Sequence, residues 1–336
     1  MLRRLVVCFL LVFVIEPIFS QEEVREPEKK ETAPTTETSS DGNSGSEPMD
    51  DEAFGMVRQF MEYDASARLR ARTVFSELRQ VYKFEKIVFN GALGRRIPAQ
   101  LAIPRIRVAP YPCVLLIHDL AGSKDDWWED ENLIRGGLLA RKLLASGHAV
   151  LCLDLPAHGE RTQEQDYEPT SELAFSSQQG SRLRSLLFQG VVDQRRALDY
   201  LETREEIDSS RIAVNGYGYG GLVALMLTTA EPRVGAINVC ALPMANGNPA
   251  VFAPRHFAPR LSGKPVQVLA GRFDQNAPEE QTRHFHQLID SVKKKLHVYE
   301  SNHRLPKEYS EHVLQWIRTQ LKAVEEVLPA VSTEGR

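Results

Sequence analysis

Apolar residues along most of the chain occur in short continuous runs, separated by stretches with helical spacing. Runs of this kind cover residues 112–118, 149–154, 212–215, 234–240, 266–271 and 295–299. Strands buried on both faces have this pattern, which is typical of a parallel sheet with helical crossovers. The stretches between and after the runs predict helices at residues 132–146, 190–203, 221–230, 278–294 and 309–327.

Residues before the first run follow a different pattern. Apolar positions in residues 53–78 recur at helical spacing and predict one or two amphipathic helices. Residues 81–90 and 96–104 alternate like an antiparallel strand pair, and Asn90-Gly91 between them is a hairpin signal. The fold prediction is therefore α/β, with a mostly parallel central sheet flanked by helices and an N-terminal antiparallel strand pair.

The first 52 residues predict two segments outside this fold. Residues 1–20 combine Arg3 and Arg4 with an apolar run and a small-residue cleavage site, which indicates a secretory signal peptide. An uncleaved anchor is the alternative, although the apolar run is shorter than the about 20 residues that a span needs. Residues 21–52 carry eleven acidic and three basic residues and predict a disordered acidic linker. We therefore expect an exported protein, periplasmic or extracellular, with no integral span after cleavage.

The remaining residues, 53–336, are long enough for one large domain and carry a net charge of only +3. A nearly neutral body gives no electrostatic case for binding nucleic acid. Its three cysteines, Cys113, Cys152 and Cys240, lie in apolar runs and favour buried free thiols. His284 and His286 are two apart on a predicted helix and point different ways, so no metal site is expected from them.

Residues 211–221 predict a buried strand, a glycine-rich turn and the start of a helix. This is the frame of a nucleophile elbow, G-x-S-x-G, in which the turn presents a reactive serine. Gly216 and Gly220 stand at the two flanking positions. Gly218 stands where the serine belongs, and it has no side chain that could react.

Further chemistry-bearing residues follow the predicted strands: His118–Gly122, Asp154–Arg161, Asp274 and His303. With the elbow frame, residues 80–325 resemble the α/β-hydrolase superfamily, specifically its dienelactone-hydrolase-like and small esterase or peptidase branches. The resemblance implies no cofactor and a triad in which Asp274 is the acid, His303 the base and Gly218 the non-reactive nucleophile position.

The resemblance also implies an oxyanion hole made by the backbone N–H groups of Leu120 and Tyr219. Family members commonly carry glycine after the histidine of this loop, where this chain has Asp119. A carboxylate near a developing oxyanion would oppose it unless the side chain turns away. His118 is interpreted as a structural histidine that holds the loop.

Each assignment has a structural alternative. Asp274 could cap the helix that begins near Pro278, and His303 could be a solvated loop residue. The turn at 154–161 is interpreted as scaffold, including His158. Trp127 and Trp128 either line the pocket or pack in the core. The long connections 162–180 and 243–264 predict lids, and the second places Phe252, His256 and Phe257 as a possible substrate-facing wall.

Glycine at 218 leaves three hypotheses, because removing a serine nucleophile costs about 10⁶-fold in turnover. The first is a protein without efficient serine-type hydrolysis that retains a pocket for a small acyl or ester-type ligand. A protein partner is compatible with this hypothesis. The second is a hydrolase in which His303 and Asp274 activate a water beside Gly218. The third is a non-acyl reaction with His303 as base. We favour the first, and expect Gly218→Ser to restore a triad at the cost of backbone strain.

Overall fold

The computed structural model describes residues 47–106, 108–168, 170, 180–244 and 251–321. The predicted signal peptide and most of the predicted linker lie outside these residues. The strands of the described chain are β1 Arg72–Leu78, β2 Tyr82–Asn90, β3 Arg96–Pro104, β4 Tyr111–Ile117, β5 Ala149–Leu153, β6 Ile207–Tyr217, β7 Val234–Cys240, β8 Val266–Gly271 and β9 Lys294–Tyr299. They form one sheet in the order β1-β2-β3-β5-β4-β6-β7-β8-β9.

The sheet is parallel from β5 through β4 to β9, and antiparallel from β1 to β5. The predicted hairpin is confirmed, since Asn90 pairs with Arg96 at the closed end of β2 and β3. The continuous apolar runs are also confirmed as central strands, because every residue of β4, β5 and β8 is buried. Their carboxyl ends meet at one edge of the sheet, where function is expected.

Helices cover both faces of the sheet. They are α1 Asp51–Gln59, α2 Gly136–Ala145, α3 Gly180–Glu202, α4 Tyr219–Ala230, α5 Pro254–Phe257, α6 Glu279–Leu288 and α7 Tyr309–Gln320. One face packs α2 and α7 through residues such as Leu143 and Ile317. The other packs α3 and α4 through residues such as Val191 and Val223. The two apolar cores hold the sheet rigidly between them, so its loops can be positioned with little freedom.

Several predicted boundaries are wrong. Residues 72–78 form an edge strand, not a helix, because β2 supplies backbone hydrogen bonds along their length. Helix α3 begins ten residues earlier than predicted, and α6 ends at Leu288, before β9 takes up the next apolar residues. Helix α1 begins at Asp51, inside the predicted linker, where Asp50 caps it by accepting the Ala53 N–H at 2.8 Å.

The three cysteines of the described chain are buried free thiols, as predicted. Over the same residues, no helix is both long and apolar enough to cross a bilayer.

Candidate active site

The turn between β6 and α4 has the elbow geometry. Gly218 lies between Tyr217 and Tyr219 with φ 53° and ψ −121°, a left-handed conformation that glycine adopts without strain. Its N–H donates to the Cys240 carbonyl at 2.8 Å, which fixes the turn against β7. A Cβ at Gly220 would collide with the carbonyls that end β4 and begin the next loop. The elbow is therefore built as in a hydrolase, but it presents no side chain.

Asp274 and His303 are brought together at the same sheet edge. Asp274 follows β8, His303 follows β9, and His303 Nδ1 donates to Asp274 Oδ2 at 2.7 Å. Asp274 is buried, and its other oxygen accepts the Asn276 N–H at 2.9 Å. Asp274 thus orients the histidine and also closes its own turn. The alternative, in which Asp274 caps the following helix, is wrong, because that helix begins after Pro278 without a side-chain cap.

Tyr217 braces the histidine loop, a role that the sequence did not indicate. Its hydroxyl donates to the His303 carbonyl at 2.6 Å and accepts the Leu305 N–H at 2.9 Å. The side chain is completely buried. The residue just before the elbow glycine therefore ties the end of β6 to the loop after β9 and sets the height of His303 above the sheet.

Asp119 occupies the centre of the site. Its Oδ1 accepts the N–H groups of Leu120 and Tyr219, each at 2.8 Å, which are the two donors predicted for the oxyanion hole. Its Oδ2 accepts from His303 Nε2 at 3.0 Å. A Cβ built on Gly218 would overlap Oδ1 and lie 2.8 Å from Oδ2. The carboxylate therefore fills both the oxyanion hole and the position of the missing serine side chain.

The Asp119 side chain does not turn away from the predicted hole but enters it, the arrangement that opposes a developing oxyanion. Two expectations about this region are wrong for a steric reason. The place beside Gly218 that we assigned to a nucleophilic water is taken by the carboxylate. Gly218→Ser alone does not restore a triad, because its Cβ would overlap Asp119.

Charge in the site is dominated by His303 and its two carboxylate partners. Burial lowers the pKa of His303, but the hydrogen bonds to Asp119 and Asp274 outweigh burial and raise that pKa to about 10. Burial raises the pKa of Asp119, but the hydrogen bonds from His303, Tyr219 and Leu120 outweigh it and lower that pKa. At neutral pH the site is an imidazolium between two carboxylates, so Nε2 carries a proton and has no lone pair for a general base.

Two buried histidines hold the Asp119 loop. His118 Nδ1 donates to the Asp119 carbonyl at 2.8 Å, and its Nε2 accepts the Leu155 N–H at 3.1 Å. Burial lowers the pKa of His118 to about 3, so the ring is neutral and fits this pair of roles. His158 Nε2 lies 2.7 Å from the Leu120 carbonyl. His118 is structural, as interpreted from the sequence.

The turn at 154–161 makes structural contacts, chiefly buried ion pairs. Buried Lys124 bonds Asp154 at 3.0 Å and Glu160 at 2.7 Å. Buried Arg161 bonds Asp193 at 2.8 Å. These ion pairs lie outside the His303 network and lock the turn against its neighbours.

The aromatic residues that the sequence suggested as a pocket lining lie mostly in the core. Trp127 is completely buried, and Trp128 packs edge-on against Phe84. Phe257 is also completely buried, with its ring 5.7 Å from that of Phe54 in α1. These rings therefore pack and do not line the site.

The remaining wall and lid predictions are only partly covered by the structure. His256 Nδ1 accepts the Met49 N–H at 3.0 Å, and Phe252 packs partly buried against the core. Residues 169, 171–179 and 245–250, within the two predicted lids, lie outside the described residues. A cavity of about 450 Å³ that the sequence did not indicate is lined by Val57, Phe60, Arg184, Ser185, Phe188 and Val251. In the described part of the chain, no group of three His, Cys, Asp or Glu side chains could hold a metal ion.

Solved structures similar to this chain are esterases by name. A cold-adapted esterase from an Arctic intertidal metagenomic library matches at 18% identity and TM-score 0.57, over 74% of this chain and 98% of that one. Acetyl xylan esterase 1 of Thermoanaerobacterium sp. matches at 17% identity and TM-score 0.61, over 83% and 96%. A glucuronoyl esterase from Solibacter usitatus matches at 11% and 0.58, over 78% and 88%. At these identities the likeness shows the fold.

Sequence comparison gives the same family. A protein of Bacillus subtilis (strain 168) named as a hydrolase, YtaP, is 24% identical over 170 residues, covering 49% of this chain and 55% of that protein. The chain thus spans about half the length of the curated relative that it matches. The model of the alpha/beta hydrolase family matches residues 114–325, which include the elbow, Asp119, Asp274 and His303. The protein is a member of the α/β-hydrolase family.

Proposed function

We propose that this protein is an exported α/β-hydrolase that lacks efficient serine-type ester hydrolysis and keeps its triad site for a small acyl or ester-type ligand. The observation that carries the proposal is the position of Asp119. Its carboxylate stands in the oxyanion hole and beside the glycine that replaces the serine.

Acyl transfer in this fold needs a nucleophile at the elbow and free N–H donors for the oxyanion. Gly218 supplies no nucleophile, and loss of the serine alone costs about 10⁶-fold in turnover. Loss of one donor costs a further about 10²–10³-fold, and here both donors are engaged by Asp119. The negative charge of Asp119 also opposes a second oxyanion at the same place.

The alternative hypothesis, hydrolysis by a water that His303 activates, has less support than the proposed function. His303 holds its proton at neutral pH, because the two carboxylates raise its pKa to about 10 despite burial. Its Nε2 is directed at Asp119, not at an open position beside Gly218. Activating water would require Asp119 to leave the site first.

The site is exposed to solvent on one side, which supports binding of a ligand there. The side chains of Asp119 and His303 are 13% and 21% exposed, while Asp274 behind them is 1% exposed. The exposed edge lies at the carboxyl ends of the parallel strands, the usual place for a small molecule in an open α/β sheet. The nearly neutral body favours a small molecule over a nucleic acid.

Ester hydrolysis by the purified full chain tests the proposal. We expect 4-nitrophenyl acetate and butyrate to be cleaved no faster than in buffer, and a fluorophosphonate reagent to leave the protein unlabelled. His303→Gln is the control, because it removes the only triad base of the family pattern. Ester cleavage by the wild type that disappears in His303→Gln would overturn the proposal.

Export has its own test. Expression of the chain with a C-terminal tag should give a processed protein beginning at Gln21 outside the cytoplasm. A product that keeps Met1 and fractionates with membranes would instead support the uncleaved anchor.

A further inference from the structure

We propose that the cavity between α1 and α3 is a binding site for a long-chain carboxylate, with the alkyl chain in the cavity and the carboxylate on Arg184. None of the lining residues belongs to the His303 site, so the inference goes beyond the proposed function and does not depend on it. The occupant that we assign is a single amphiphile of the fatty-acid type.

The cavity has the size and the apolar lining that an alkyl chain requires. Its volume of about 450 Å³ lies within the range of small-molecule sites, about 300–1,000 Å³. Val57 and Phe188 are its buried lining residues. Phe60, which is 67% exposed, lies at the rim with its ring 5.3 Å from that of Phe188. An alkyl chain in the cavity would remove these apolar surfaces from water, which favours binding.

Arg184 gives the cavity one charged end. The residue is exposed and forms no ion pair with a described residue, whereas Arg182, two positions earlier, pairs with Glu168 at 3.2 Å. A guanidinium offers five N–H donors and no acceptor, so its strong partners are anions. Ser185 beside it already donates to the Ser181 carbonyl at 3.0 Å. Arg184 is therefore the donor that selects the head group, and its single charge matches a carboxylate.

Both walls of the cavity are held in place by contacts of the protein itself. Helix α1 packs the Phe54 ring 5.7 Å from the ring of Phe257, and Asp51 pairs with Arg260 at 2.6 Å. On the α3 side, Leu187 is completely buried in the core. A site with ordered walls loses little conformational entropy when a ligand binds.

Helix α1 makes this cavity a feature of this chain and not of the family core. Val57 and Phe60 precede residues 114–325, which match the family model. The matched region supplies only the α3 side and Val251. The cavity therefore exists because an N-terminal helix packs against this part of the domain.

Isothermal titration calorimetry of the full chain with decanoate, below its micelle concentration, tests the assignment. We expect one site per chain, and binding that weakens by about 4-fold for each CH₂ group removed from the carboxylate. 1-Decanol should bind about 5-fold or more weakly than decanoate, because it forgoes the charge-assisted hydrogen bond to Arg184. Decyltrimethylammonium should bind more weakly still, since its charge opposes that of Arg184.

Four variants locate the ligand. Arg184→Gln should weaken decanoate binding by about 5-fold or more and leave 1-decanol unchanged, while Arg182→Gln, the matched arginine, should leave both unchanged. Phe60→Ser should weaken both ligands alike, by about 5- to 10-fold, because it removes apolar wall. Met56→Ser is its control, because Met56 is 57% exposed on the same helix and does not line the cavity. Thermal unfolding of each variant checks that it is folded.

The proposal is overturned if the folded wild type does not bind decanoate. It is also overturned if Arg184→Gln and Phe60→Ser both leave the affinity unchanged, because the ligand then lies elsewhere on the protein. Equal affinities for decanoate and 1-decanol would overturn it in favour of a site for a neutral chain. Sedimentation with phosphatidylglycerol vesicles, without binding of decanoate, would overturn it in favour of a membrane-binding face.

Discussion

Replacing Gly218 by serine should destabilise the protein more when residue 119 is aspartate than when it is glycine. With Asp119 present, the new Cβ overlaps the carboxylate and also takes a left-handed backbone. Strain of this kind costs about 1–3 kcal/mol, and overpacking about as much again. We expect Gly218→Ser alone to lower Tm by about 4 °C or more, since about 1 kcal/mol corresponds to 2–4 °C in a domain of this size.

Asp119→Gly removes the obstacle, so the combined variant should escape the overlap. It keeps the backbone strain at residue 218 and loses the charged hydrogen bonds of Asp119. The free energy of unfolding should therefore be non-additive, with the pair better than the sum of the singles by about 1–3 kcal/mol. Denaturant unfolding of the four proteins of the cycle measures this coupling directly.

The combined variant should also gain chemistry that neither single variant has. The Leu120 and Tyr219 N–H groups become free, and His303 loses one of the carboxylates that raise its pKa. We expect cleavage of 4-nitrophenyl acetate at least about 100-fold faster than in either single variant, a small part of what a serine nucleophile contributes. The added rate should vanish with His303→Gln. Additive stabilities, or a Gly218→Ser variant as stable as wild type, would refute the proposed geometry.

Four further predictions test contacts in and around the site. Because the folded-state pKa of His303 is raised to about 10, its contribution to stability is complete below its unfolded value near 6.5 and is lost as pH rises through 10. The free energy of unfolding should decline over that interval in wild type but much less in His303→Gln, and an equal decline would argue against the charged network. Asp119→Asn should lower the pKa of His303, as read from the NMR titration of its ring, and an unchanged midpoint would contradict the 3.0 Å contact. Tyr217→Phe removes the hydroxyl that braces the His303 loop and should cost about 1–3 kcal/mol in denaturant unfolding, whereas a neutral effect would show that the loop is held otherwise. Lys124→Met leaves Asp154 buried without its cation and should cost about 3–5 kcal/mol, while Lys124→Arg should recover part of that loss.

The sheet could be predicted because strands buried on both faces leave a continuous apolar signature. The same reasoning failed for β1, because each of its residues is exposed and its apolar positions at 74, 75 and 78 imitate one side of a helix. Pairing with β2 decides that structure, and pairing is not a property of the segment itself. The start of α3 was missed because polar residues precede its buried positions.

Within the site, the order of motifs was enough to bring Asp274, His303, Leu120 and Tyr219 to one sheet edge. The direction of the Asp119 side chain could not be predicted, because it depends on the space beside Gly218 and on the N–H of Tyr219, 100 positions further along the chain. One signal was present in the sequence, since the chain gains a side chain at 119 where the family commonly has none and lacks one at 218. Treating the two departures as one packing exchange would have predicted the contact.

That exchange also couples the changes at the two positions. In a lineage that begins with serine at 218, aspartate at 119 collides with the serine side chain, whereas glycine at 218 makes room for it. In such a lineage, loss of the serine side chain makes room for the present orientation of Asp119, so the two changes are coupled through this contact. Once both residues are present, neither single reversion restores serine-type activity. Serine at 218 would overlap the Asp119 carboxylate, and glycine at 119 would leave the elbow without a nucleophile. Recovery of the serine site therefore requires substitution of both Asp119 and Gly218.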